Sequence, residues 1–250
     1  LTGGMVISAA FARLTSRINL LYAAETVERV KQRRPDLYTA LVHKTRLEPS
    51  EVTEWKQAAD RMYVPYDERL KINPQDDHFL EQEPWDFDRT PADKYPLLLY
   101  FHPLTIYRHQ VIKQADLVLA MFLLGHEFAP DLKRRNFAFY DPLTTGDSSL
   151  SACIQSIMAA EVDEMDKALE YAKAATLMDL GDVAGNVKDG CHIAAMGGVW
   201  MVLVYGFAGM RDYNGELCFW PSLPEVFHCV RFNLIFKGQT LEVDVGHHRD

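Results

Sequence analysis

Three short stretches of this chain gather residue types that could hold a polar guest. Lys113-Gln114 sets a cation beside an amide. The loop Tyr140 to Ser151 carries Asp141, Thr144, Thr145, Asp147, Ser148, Ser149 and Ser151. In the third, Gly181 to Gly198, glycines stand at 181, 185, 190, 197 and 198 with Asp182, Lys188, Asp189 and His192, just before the apolar run Val199 to Phe207. Glycine lets a backbone approach a ligand, and the exposed amides at a helix start favour an anionic or hydroxyl-rich guest. The third stretch also reads as a glycine-rich helix connection with a buried histidine, and Asp147, Ser148 and Ser149 read more simply as helix caps.

The elements that must position these residues are mostly helices. Ile18, Leu21, Tyr22, Val27 and Val30 recur at helical spacing, with Pro35 closing that helix. Leu37, Leu41 and Val42 begin a second helix, and Ser50 is the expected cap of a third with Trp55, Ala58, Ala59 and Met62 on one side. From Pro65 to Pro96 the period is lost; its acids and aromatics, Trp85 and Phe87 among them, suit either a sugar cleft or a packed surface excursion. Val111, Ala115, Val118, Leu119 and Phe122 mark a further helix, with Lys113 and Gln114 off its apolar stripe. Helices are expected from Ala129 to about Tyr140, from Ser149 to Ala160, from Asp166 to Asp179 and through the apolar run that follows the glycine loop. Leu217 to Trp220 is a strand candidate, and Arg231 to Phe236 with Thr240 to Val245 alternate around Lys237-Gly238-Gln239 as a β-hairpin. Helix pairs joined by long loops at one end suit an α/α toroid whose loops form a central pocket.

Composition narrows the partners. A chain of 250 residues, 48% of them apolar, can bury one large domain with a small appendage. The net charge of -9 and the shortness of the basic runs Lys31 to Arg34 and Lys133 to Arg135 argue against nucleic acid or an anionic membrane. Cys153, Cys191, Cys218 and Cys229 show no metal-binding spacing and sit among apolar neighbours. Buried reduced thiols, and with them a cytoplasmic location, are therefore expected. Met5 to Ala12 is too short to cross a bilayer, and the start reads as a cut end rather than a signal peptide.

Four blocks, Ile112 to Asp116, Tyr140 to Ser151, Asp189 to Gly198 and Tyr205 to Gly209, occur together and in order. They resemble the signature blocks of glycoside hydrolase family 65, which holds maltose, trehalose and kojibiose phosphorylases and some hydrolases. The resemblance runs from about Asn19 to Val245, and Pro221 to Pro224 with the hairpin resembles the start of the family's C-terminal β domain.

That resemblance implies a mainly α fold: part of a six-hairpin α/α barrel over residues 1–210, then the start of a small C-terminal β-sandwich domain over 211–250. It implies inverting cleavage of an α-glucoside disaccharide, with inorganic phosphate as co-substrate and no metal or organic cofactor. Lys113 and Gln114 would bind the glucosyl unit; Ser148, Ser149, His192, Gly197 and Gly198 would surround the phosphate; Asp141 would stand where the hydrolases can carry a base. A homodimer is the assembly the family suggests. Departures from the pattern are Gly146 in place of histidine, Ala195 in place of serine or threonine, and Asp141 in place of glutamate. Nothing in Leu1 to Arg17 matches the Gly-Pro-Asp-Glu block that carries the general acid, and Glu25 and Glu28 lie on a surface-like helix. The expected product is therefore the C-terminal portion of a phosphorylase. The alternatives are a hydrolase using Asp141, or a sugar-binding fragment that lacks its acid.

Overall fold

A computed structural model describes residues 9–114, 116–183, 185 and 187–247. Met5 to Ser8, Ala115 of the expected stripe, and Ala184 and Asn186 of the glycine loop lie outside the described residues. The chain forms two compact units, Leu1–Leu80 and Glu81–Asp250.

The first unit is helical. Helix α1 (Ala9–Arg33) packs on α2 (Pro35–Thr45) and α3 (Pro49–Asp60) through small and branched residues, Ala10, Leu14, Ala24, Val52 and Ala59 being buried. Pro35 does stop α1, because it takes the first position of α2, where its missing N–H costs nothing. The expected cap Ser50 is corrected: the cap lies two residues earlier at Glu48, which exchanges hydrogen bonds with Glu51, and α3 starts at Pro49. Arg13 grips Asp77 through two bonds at 3.2 and 3.1 Å, and Asn73 donates to the Pro65 carbonyl at 2.9 Å.

In the second unit, β1 (Glu83–Pro84) and β2 (His109–Gln110) form a short parallel pair around the turns α4 (Leu97–Tyr100) and α5 (Pro103–Ile106). Trp85, Phe87, Tyr95, Leu98 and Phe101 pack on Leu97, Ile106 and Val111. Of the two readings of this excursion, packing is the one the aromatics Trp85 and Phe87 follow.

The rest of the unit alternates apolar and amphipathic helices. Helix α6 (Asp116–Leu123) buries Leu117, Val118, Ala120, Met121 and Phe122, and α8 (Ser151–Glu161) buries eight of its side chains including Gln155 and Ser156. Between and after them, α7 (Pro130–Tyr140) and α9 (Met165–Thr176) bury one stripe each. Helix α10 (Ile193–Met201) passes directly into a π-helical turn over Val202–Phe207, marked by the Ala208 N–H reaching the Leu203 carbonyl at 2.9 Å.

Contacts between α8 and α10 fix their relative direction. Gly198 lies against Cys153 and Gly206 against Ile157, so both helices advance together and are parallel. Their N-terminal loops therefore share one end. The antiparallel partner α9 returns along α8, with the Ser156 hydroxyl donating to the Ala168 carbonyl at 2.7 Å. These hairpins, apolar helices parallel and amphipathic ones returning, are a portion of an α/α toroid.

At the opposite end Glu161 accepts from Lys133 and, at 2.6 Å, from Arg211, whose Nη1 also donates to the Tyr205 and Met210 carbonyls at 2.6 and 2.7 Å. This buried knot ties the start of α7 to the end of α8 and to β3 (Met210–Arg211), which pairs with β4 (Cys218–Phe219).

The β piece that follows is the hairpin β5 (Cys229–Phe236) and β6 (Gln239–Gly246). Val230 and Val245 are its most buried residues, and the facing positions alternate as a half-buried ribbon requires. Lys237 (φ 50) and Gly238 (φ 78) supply the two left-handed residues of its two-residue turn, so Gln239 already pairs with Phe236.

The cysteine expectation is corrected in part. All four are free, but only Cys153 is buried; Cys191 stands in an exposed loop and Cys229 at an outward strand position. No helix among the described residues is long and apolar enough to cross a membrane.

Candidate functional site

The segment entering α6 is a bridge at Ile112 followed by a bend at Lys113 and Gln114, which corrects the expectation that Lys113 and Gln114 ride on a helix. Ile112 donates its N–H to the Leu143 carbonyl at 2.9 Å and accepts from Thr145 N–H at 2.9 Å. That pairing overrides local helical preference until Asp116. It also lays residues 112–114 beside the loop that precedes α8.

Across this seam Gln114 Nε2 donates to Ser148 Oγ at 2.9 Å, and Ser148 Oγ accepts further from Leu150 N–H at 3.4 Å. Lys113 is exposed, and Ser148 and Ser149 are half-buried. Asp147 stands beside them, accepting the Leu97 N–H at 3.2 Å. Burial pushes its carboxyl above the usual 3.8, against the opposing pull of hydrogen bonds from Thr145 and Leu97 and of the Lys113 charge. Neither serine is the cap of α8: the helix begins at Ser151 with Leu150 before it, and no side chain caps it. Ser151 Oγ is buried with no hydrogen-bond partner.

His192 precedes α10, at the same end as Ser148 because α8 and α10 are parallel. It is half-buried rather than a core histidine. Asp179 receives its N–H at 3.0 and 3.2 Å and faces its Nδ1 at 2.6 Å. That side-chain bond to His192 is the main reason the Asp179 carboxyl is held below its ordinary range. Asp182 steadies the same loop by accepting the Val187 N–H at 3.0 Å, and Gly190 supplies a φ of 118 that side-chain-bearing residues rarely adopt.

Gly197 and Gly198 are not gathered with these groups. Both lie in the second turn of α10, where helical amides are taken by carbonyls four residues back. Gly198 is a packing glycine: a Cβ there would come within 2.5 Å of Cys153 Sγ. With Gly197 it lines a cavity of about 480 Å³ alongside Trp200 and Tyr205.

Asp141 ends α7 and is buried. Its Oδ1 accepts from Tyr171 at 2.7 Å and from Gln155 at 3.2 Å, while Lys167 bonds Oδ2 at 3.0 Å. Lys167 is raised above its usual value chiefly by that bond, and Tyr171 is raised by burial first and by Asp141 next. Three donors, one cationic, thus hold the Asp141 carboxylate between α7, α8 and α9.

Two carboxylates in this region escaped the residue-by-residue reading. Asp147 has the sequence signature of a helix cap, and Asp179 has no local signal, because its partner is thirteen residues away across a loop. Among the described residues no group of three or more His, Cys, Asp or Glu is placed to hold a metal ion.

Comparison with known proteins places the chain in a family. The family model for the glycosyl hydrolase family 65 central catalytic domain matches residues 4–201, and that for the family's C-terminal domain matches 210–249. An alpha,alpha-trehalose phosphorylase of Geobacillus stearothermophilus is 46% identical over 235 residues, covering 94% of this chain and 31% of the relative. A kojibiose phosphorylase of Halothermothrix orenii is 34% identical over 86% of this chain and 27% of its own length. A solved structure provisionally named a kojibiose phosphorylase, from the human microbiome, superposes with a TM-score of 0.83 at 26% identity, covering 95% of this chain and 34% of that one. The chain thus spans about a third of the length of the relatives it matches. On the strength of both family models, which together reach from residue 4 to residue 249, the chain belongs to glycosyl hydrolase family 65.

Proposed function

We propose that the protein carrying this chain cleaves an α-glucoside disaccharide of the trehalose, kojibiose or maltose type with inorganic phosphate, inverting the anomeric carbon. The observation that carries the reading is the seam at 2.9 Å between Gln114 and Ser148, which sets the sugar-type donors Lys113 and Gln114 against a hydroxyl loop at the end of the toroid where His192 also emerges. Named relatives that are phosphorylases of trehalose and kojibiose support the same class.

In this reading Lys113 and Gln114 hold hydroxyls of the glucosyl ring through charged and amide hydrogen bonds. Ser148, Ser149 and His192 orient phosphate below the anomeric carbon. A phosphate oxygen forms the new bond to that carbon as the glycosidic C–O bond breaks. The departing oxygen takes a proton from a general acid that none of the motif blocks of this chain carries. Gly198 packs α10 against Cys153, whereas Gly197 faces open space, so neither is given a phosphate contact in this reading. Asp141, engaged by Tyr171, Gln155 and Lys167, anchors the end of α7 to α8 and α9, a structural role that this reading favours over that of a base.

Trehalose, kojibiose and maltose offered to the full-length protein with and without phosphate provide the test. β-Glucose 1-phosphate is expected from one of them only when phosphate is present. Glucose released at the same rate without phosphate would make the enzyme a hydrolase and return Asp141 to the role of base.

A further inference from the structure

His192 is held by one side chain. Asp179 lies in the turn after α9 and takes both the backbone N–H of His192 and its ring nitrogen Nδ1, the latter at 2.6 Å. A carboxylate has only acceptors, so the proton in that short bond belongs to Nδ1. The ring is then fixed in position by the backbone contacts and in tautomer by the side-chain contact, and Nε2 is the atom left to meet a ligand. Among the described residues, the neighbouring Asp182 side chain accepts a backbone N–H, from Val187, and so shapes the loop.

We propose that Asp179 is a positioning residue for the phosphate: it locks His192 in its Nδ1–H form, aims Nε2 at the anion, and supplies a fixed negative partner that steadies the ring as a cation when phosphate approaches. This rests on the reading of His192 as a phosphate contact. Lys188 in the same loop is exposed. The pair Asp182 and Asp179 thus divides the work, one carboxylate holding the chain and the other the ring.

Nitrogen-15 histidine spectra of the wild-type full-length protein at neutral pH test the tautomer without any variant. The His192 proton is expected on Nδ1 in the neutral ring; a neutral ring carrying its proton on Nε2 overturns the proposal. In Asp179→Asn, the Nδ1–H signature is expected to weaken and the KM for phosphate to rise about tenfold or more, the scale of one charge-assisted hydrogen bond, with the KM for disaccharide little changed. Asp182→Asn should leave tautomer and phosphate KM as they are, and Asp179→Glu should recover part of the loss. If His192→Ala raises the phosphate KM while Asp179→Asn does not, Asp179 has no positioning role and the reading of His192 stands. If His192→Ala leaves the phosphate KM unchanged, the reading of His192 itself has failed, and the proposal with it. Equal increases in both KM values on Asp179→Asn would mark a purely structural carboxylate and also overturn it.

Discussion

Lys113 and His192 differ in charge and placement, and the proposed function gives them separate tasks. Lys113 is an exposed cation next to Gln114, whereas His192 is half-buried and held from behind. Lys113→Ala is expected to raise the KM for disaccharide about tenfold or more and His192→Ala to do the same for phosphate, each sparing the other substrate. Steady-state kinetics with each substrate varied in turn checks this; matched losses from both changes would indicate a folding defect. Asp147 gives a pH prediction at the same scale. Burial lifts its folded carboxyl above 3.8, so the folded state binds more protons than the unfolded chain between that value and the folded pKa. Its contribution therefore makes stability fall as pH rises through that window. Denaturant titrations from pH 3 to pH 7 should show this slope diminished in Asp147→Asn, and an unchanged slope would mean that the carboxyl is not desolvated.

Helix α10 shows what adjacent glycines do when they face different surroundings. Gly198 is buried against Cys153, with no room for a methyl group, while a Cβ on Gly197 would meet nothing within 4 Å. Gly198→Ala is expected to destabilise the protein by about 1–3 kcal/mol through overpacking, and Gly197→Ala to stabilise it by roughly 0.5–1 kcal/mol by removing backbone freedom from the unfolded chain. Chemical denaturation distinguishes them, and a common sign for both would refute the packing account. The close approach at Gly198 matters beyond stability, because it sets α10 parallel to α8 and brings the loop of His192 to the end that carries Ser148. The amphipathic α9 then has a double duty: its Lys167 and Tyr171 hold Asp141, and the turn at its end presents Asp179.

On the scale of the 81–250 unit, opposite ends of the helices are specialised differently. One end carries loops rich in hydroxyls, carboxylates and glycine. The other is closed by Lys133 and Arg211 on Glu161. Glu161→Ala would leave two buried cations without their shared partner, and a loss of about 3–5 kcal/mol in unfolding free energy is expected. Because Glu161 stands at the far end of α8 from Ser148, the KM values of the folded variant should be nearly unchanged; altered substrate binding with little loss of stability would contradict this division.

Helix identity, the hairpin and the family blocks could be read from the chain because they depend on local chemistry. The Ala129-Pro130-Asp131 opening forecast α7, apolar residues at helical spacing forecast α9, and alternation around Lys237-Gly238 forecast the β-hairpin. Tertiary structure decided the rest. Val111 to Gln114 has a helical pattern but is not helical, since Leu143 and Thr145 satisfy the Ile112 backbone from a distant part of the chain. Gly197 and Gly198 look like an anion cradle in sequence, yet the second turn of a helix consumes their amides and Cys153 takes up the space beside one of them. Asp179 carries no mark of its bond to His192, because a pairing across thirteen residues exists only once the loop has closed. Sequence determined which residues could do the chemistry; the parallel packing of α8 and α10 decided which of them share an end.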